Sequence, residues 1–135
     1  MMNDYLKKEI EGILMKEVNP HFILIFGSFS KGNARTDSDI DIAYLAEKQL
    51  SAYDRFLVAG QLAEALKREV DLVDIRQIDT VFAAQIFSSG EVVSCANEDL
   101  FIKERMKALS MYVQLNEYRA DLLQQIDERG QIYEK

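Results

Sequence analysis

A run of five apolar residues, Phe22-Ile23-Leu24-Ile25-Phe26, stops abruptly at Gly27-Ser28, and ten residues later Asp39-Ile40-Asp41 opens a second branched, apolar stretch. A short, uninterrupted apolar run bounded by a turn signal predicts a buried strand. Residues i and i+2 of a strand share a face, so Asp39 and Asp41 are expected to project side by side while Ile40 and Ile42 turn into the core. Adjacent carboxylates on a rigid strand repel unless a cation sits between them. Hard oxygen ligands favour Mg²⁺, which takes one or two carboxylates and fills its shell with substrate phosphates. The Gly-Ser turn lets backbone N–H groups approach a phosphate, particularly if a short helix begins at Phe29. A phosphate cradle beside metal-binding carboxylates points to nucleotidyl or phosphoryl transfer.

At 135 residues the chain is one domain, with room for a single core but little for a separate substrate lobe. The net charge of −7 argues against broad nucleic-acid binding, which needs a basic face, and hints instead at a basic protein partner. No stretch approaches the roughly 18 apolar residues of a membrane span, and the N-terminus does not read as a signal peptide. The lone Cys95 excludes an internal disulfide, agrees with a reducing cytoplasm and reads as a small apolar filler near a strand end. Without a His/Cys cluster, zinc is not expected.

Leu6, Ile10, Ile13, Leu14 and Val18 recur at helical spacing and predict a helix over about 4–18, stopped by Asn19-Pro20. A strand over 22–26, a turn with a short helical piece ended by Gly32-Asn33, and a strand over 39–45 should follow. Ser51 reads as the cap of a helix running to about Arg68. Val70-Asp71-Leu72-Val73-Asp74-Ile75 predicts a third strand with acids among branched apolar residues, an expensive arrangement unless they face water or a metal. A helix over about 79–89 ending at Gly90, a short strand at Val92-Val93, and helix from Asn97 nearly to Gly130 complete the pattern. A helix of roughly thirty residues is about 45 Å long, more than a compact domain of this size covers. Part of it should therefore pack on a neighbour, or the segment should break in two.

The spaced motif Gly27-Ser28 with Asp39 and Asp41 resembles the signature of the DNA polymerase beta-like nucleotidyltransferase superfamily. The whole chain is similar to a minimal nucleotidyltransferase (MNT), and more closely to the antitoxins of bacterial HEPN–MNT toxin–antitoxin pairs. Phe26-Gly27-Ser28-Phe29-Ser30-Lys31-Gly32, Asp37-Ser38-Asp39-Ile40-Asp41-Ile42-Ala43, Val70-Asp71-Leu72-Val73-Asp74 and Ala108-Leu109-Ser110-Met111-Tyr112 carry that resemblance. It implies an α+β fold, a small mixed β-sheet flanked by helices, with residues 97–129 a C-terminal helical segment used for partner contact. It also implies a Mg²⁺-dependent adenylyltransferase that moves AMP from ATP to a tyrosine of a cognate HEPN RNase toxin, held in a hetero-oligomer. Gly27 and Ser28 would hold the triphosphate, and Asp39 and Asp41 the metals. The family's apolar–Asp–apolar–apolar pattern places the third carboxylate on Asp71. Spacing alone leaves Asp71 and Asp74 both open, since residues three apart point to opposite faces of a strand.

Lys31 or Arg35 could offset phosphate charge or simply be solvated charges beside a turn, and Ser38 could bond a phosphate or cap the turn. His21, the only histidine, is expected to be solvated after Pro20. Tyr112 and Tyr118 read as core or interface residues, and Lys103-Glu104-Arg105 as a solvated face. Two other functions compete: nucleotidyl transfer to a small molecule, which usually needs a further domain, and a binding-only antitoxin with a vestigial site. The opposite role, the RNase toxin, needs an Arg followed by a His four to six residues later, and His21 precedes every arginine.

Overall fold

The computed structural model describes residues 4–27 and 39–133, with side chains through residue 127. The chain forms α1 (Asp4–Glu17), β1 (Phe22–Phe26), β2 (Ile40–Leu45), α2 (Ala52–Leu66), β3 (Val70–Asp74), a 3-10 turn (Ile75–Gln77), α3 (Thr80–Ser89), β4 (Glu91–Cys95) and α4 (Glu98–Tyr133). Among the described residues the four strands make one sheet in the order β3-β2-β1-β4. β1 lies antiparallel to β2 and β4, while β2 and β3 run parallel. This is the mixed sheet with flanking helices and long C-terminal helix that the sequence implied.

The uninterrupted apolar run places β1 at the centre, because only a strand covered on both faces can bury every side chain. All five of its residues are buried. On one face α1 and α2 pack Ile10, Leu14, Val58 and Leu62 against Ile23, Ile25, Ile40 and Ile42. On the other, α3 and the first turns of α4 cover Phe22, Leu24, Phe26, Ala43 and Val73. There Phe101 meets Phe22 edge-on with ring centroids 5.0 Å apart and Phe87 at 5.7 Å.

Local signals fix the boundaries. Asn19 takes a left-handed φ of 50°, and its N–H and that of Val18 both donate to Leu14 O, ending α1. The Ser51 hydroxyl accepts the Asp54 N–H at 3.0 Å, Asp79 accepts that of Phe82 at 2.8 Å, and Asn97 accepts that of Leu100 at 3.0 Å. Lys67, in a left-handed conformation with φ 57°, terminates α2.

Two expectations need correction. α4 is one unbroken helix, and it runs through Gly130 to Tyr133 rather than stopping there. No other glycine and no proline lies between 98 and 133, so nothing forces a break, and a lone interior glycine costs only about 1 kcal/mol. His21 is half-buried rather than solvated: its Nε2 lies 3.1 Å from Glu47 Oε1, and its backbone ties Leu45 to Ala96 and Asn97. The expected short helical piece after Ser28 and its Gly32-Asn33 stop lie outside the described residues.

Candidate active site

The C-terminal end of β1, the N-terminal ends of β2 and β3 and the last turn of α3 meet at one edge of the sheet. Phe26 and Asp41 are Cα partners across the antiparallel pair, and Asp41 and Asp71 across the parallel pair. Directly paired residues share a face, so Phe26, Asp41 and Asp71 emerge in a row on the α3 side. Asp39, just ahead of β2 and two residues before Asp41, is exposed, and its charge is felt at Asp41. The N–H of Ile40 donates to Glu69 O at 2.9 Å, pinning the start of β2 beside β3.

Gly27 fits this edge for two reasons. Its φ of 77° is left-handed, and a Cβ built on it would fall on Oδ2 of Asp41. The carboxylate therefore lies directly against the backbone of the turn. Asp74 is elsewhere: it pairs with Tyr44 on the opposite face, is only 4% exposed, and its carboxylate accepts the Arg76 N–H at 2.9 Å. One of the two acids three apart thus stands beside Asp41, and the other caps the 3-10 turn.

Burial, the Asp71 charge and the Asp39 charge together push the Asp41 carboxyl above its ordinary value, in that order of importance. Electrostatically the three acids form one group. Geometrically they are not closed on a single point: among the described residues no three acidic, histidine or cysteine side chains stand close enough to hold one metal ion as placed. Paired Cβ atoms on adjacent strands are only about 5 Å apart, so rotation of the carboxylates suffices to bring oxygens to a common cation. The donor set, all hard carboxylate oxygen, suits Mg²⁺.

On the other side of Gly27 a cleft of about 390 Å³ opens between β1 and α3, lined by Phe26, Gly27, Phe82, Gln85, Ser88 and Ser89. Its volume is in the roughly 300–1,000 Å³ range of small-molecule sites. Sequence reasoning took 79–89 only as a helix. The available signal was the i, i+3, i+6 spacing of Phe82, Gln85 and Ser88 on one face, running toward Gly90. A second cleft, of about 280 Å³, lies between α3 and α4 at the opposite end of the sheet, beside Leu45 and Arg76. Ser28, Lys31, Arg35 and Ser38 lie outside the described residues. Cys95 sits half-buried at the far end of β4, where burial pushes its thiol up, as befits packing rather than chemistry.

A glycine turn pressed against strand carboxylates, at the edge of a small mixed sheet, defines a nucleotidyltransferase. Comparison with known proteins agrees. Residues 8–99 match the polymerase beta nucleotidyltransferase family, and the chain belongs to it. The protein adenylyltransferase MntA of Shewanella oneidensis is 38% identical over 106 residues, 77% of this chain and 74% of that protein. A toxin–antitoxin crystal structure with AMP-PNP superposes with a TM-score of 0.78 at 33% identity, covering 89% of this chain and 97% of the other. The MNT antitoxin in complex with a tri-AMPylated Shewanella oneidensis HEPN toxin superposes at 0.77 with 30% identity, covering 93% and 98%. Among the described residues no helix is long and apolar enough to cross a membrane.

Proposed function

We propose that this chain is an antitoxin-type protein adenylyltransferase, which transfers AMP from ATP to a tyrosine of a cognate HEPN-domain RNase and so silences it. The observation that carries this reading is the row of Asp39, Asp41 and Asp71 beside Gly27, in a chain so similar to a named adenylyltransferase. The AMP-PNP in one relative and the modified toxin in another support ATP as donor and a HEPN protein as acceptor. Held by Asp39, Asp41 and Asp71, Mg²⁺ would neutralise the triphosphate and acidify the attacking hydroxyl.

The residues of the chain set the rest. A tyrosine hydroxyl, with an ordinary pKa near 10, is a poor nucleophile at neutral pH. Asp71, exposed at the start of β3, would receive its proton as it attacks the α-phosphorus, and pyrophosphate would leave in line. Gly27 and Ser28 would hold the triphosphate at the turn, with Ser38 and Lys31 as further phosphate contacts. Asp74 takes no part, since its carboxylate is committed to the Arg76 N–H.

Residues 97–129 supply the partner contact. From Asn116 to Asp127 the side chains of α4 are exposed, and Tyr118, Leu122, Leu123 and Ile126 present apolar surface to solvent. Exposed apolar surface concentrated on one projecting element marks an interaction site. This also favours the second reading, inhibition by binding alone.

Intact-mass spectrometry of a cognate HEPN partner, incubated with this chain, ATP and Mg²⁺, tests the proposal. Mass gains in whole AMP units that vanish with Asp39→Asn plus Asp41→Asn are expected. A stable complex with no gain would leave binding alone as the mode of inhibition.

A further inference from the structure

We propose that a second copy of this chain docks on the outward face of α2, forming an isologous dimer in which the two α2 helices pack antiparallel. Tyr53 of each copy then lies over Gly60 of the other.

Val58 and Leu62 turn α2 into the core, and the face opposite them carries Tyr53, Phe56, Leu57 and Gly60, spaced i, i+3, i+4 and i+7. All four are exposed, Tyr53 to 68% and Phe56 to 72%. The outward side of an amphipathic helix is ordinarily polar, so two aromatics and a leucine there have no role in the monomer. Gly60 has none either. A glycine inside a helix is less stable than an alanine, yet a Cβ built at Gly60 meets no described atom within 4 Å. Nothing among the described residues needs the missing side chain. A surface that approaches the helix backbone from outside does.

The pattern is complementary to itself. Tyr53 and Gly60 stand three residues outside Phe56 and Leu57, so a two-fold axis through the middle of the set maps each member onto its opposite. A large ring then meets bare backbone at each end of the contact, and Phe56 meets Leu57 at its centre. None of the four is charged. That suits the core of a homodimer interface, where aromatics are enriched and charge is depleted, and disfavours a nucleic acid, which needs cations. Area sets the strength. Two aromatics of roughly 150–250 Å² each, about seven-tenths exposed, make with Leu57 an apolar patch of roughly 300–400 Å². This is about half of the roughly 800 Å² per partner in a standard interface, so the dimer is reversible and forms at micromolar concentrations. α1 and α2 cover one face of the sheet and α3 and α4 the other, so docking on α2 leaves both carboxylate rows and both α4 helices free.

Sedimentation velocity of the full chain, from micromolar to submillimolar concentration, tests the dimer. The mass should rise from the 15.5 kDa of one chain toward twice that. Phe56→Glu, at an exposed site and with its fold checked by a circular-dichroism melt, should stay monomeric throughout. Gly60→Ala separates the helix from the contact. At low concentration it should melt above the wild type, because the site is open and alanine favours the helix. It should nonetheless weaken the dimer about ten-fold, by setting a methyl under the tyrosine ring. A wild-type chain that stays monomeric overturns the proposal, and loss of HEPN-protein capture in Phe56→Glu would then assign the face to that protein. A dimer that survives Phe56→Glu also overturns it, since the contact lies elsewhere. So does a Gly60→Ala dimer as tight as the wild type, because the ring then does not sit on that backbone.

Discussion

Gly27→Ala separates the two demands made on this position. The left-handed φ of 77° costs an alanine about 1–2 kcal/mol regardless of its surroundings. The new methyl also collides with Asp41 Oδ2, which the aspartate can relieve only by leaving its rotamer, at about 0.5–1.5 kcal/mol. The sum is about 1.5–3.5 kcal/mol. In an Asp41→Ala background the nearest remaining atom of residue 41 is its own Cβ, 3.7 Å away and in ordinary contact, so only the backbone term survives. Urea denaturation of the four chains of this cycle should therefore give a coupling of about 0.5–1.5 kcal/mol. A 135-residue domain loses about 4 °C in Tm per kcal/mol, so Gly27→Ala should melt roughly 6–14 °C low in the wild-type background and roughly 4–8 °C low in the other. Transfer should fall further than stability does, since the relieving motion takes the Asp41 carboxylate out of its place beside the turn. An equal cost in both backgrounds would refute the close approach of carboxylate and turn, leaving Gly27 a purely conformational glycine.

Asp41→Asn should raise stability at pH 7 while abolishing transfer. The folded Asp41 carboxyl is held above its ordinary value, so its ionisation penalty develops as pH rises from the unfolded value near 3.9 and is complete above the folded one. Urea midpoints should show the variant's advantage at pH 7 and its loss near pH 3. Asp71→Asn and Asp74→Ala should part company: the first loses transfer with an unchanged fold, while the second loses about 1 kcal/mol from the uncapped 3-10 turn and keeps transfer, read by denaturation and AMP incorporation. Tyr44→Phe should be neutral or stabilising in thermal melts. The buried hydroxyl has no hydrogen-bond partner among the described residues, and burial, with the Asp74 charge, pushes its pKa up to about 12 while Arg55, bonded to Gln77, pulls it back only partly. Truncation after Gln114 should change stability by less than about 1 kcal/mol, since the side chains removed are mostly exposed, yet weaken partner binding in a pull-down far more than ATP binding.

Strands, caps and the carboxylate face were legible because each depends on a few adjacent residues. A short unbroken apolar run bounded by a turn reads as a buried strand, and Ser51 caps its helix through its own side chain. The choice between Asp71 and Asp74 needed register: the parallel pairing of Asp41 with Asp71 is a relation between residues thirty apart that alternation within one strand cannot supply. The cleft was hidden for the same reason. Phe82 and Gln85 look like ordinary helix residues until α3 is laid across the end of β1. At Gly130 a local rule misled, because a glycine ends a helix only where the following residues also leave it.

The direction of α4 has a consequence for how long a captured partner stays. The helix passes α3 from Phe87 toward Thr80, so its free half extends beyond the end of the sheet remote from Asp41. At about 1.5 Å per residue, its 36 residues span about 54 Å. A protein gripped by that free half is anchored at one pole of the molecule and altered at the other. If residues 97–129 are that grip, its residence time would be set by the helix and not by the carboxylate site. A partner held in this way would leave no faster after alteration than before it.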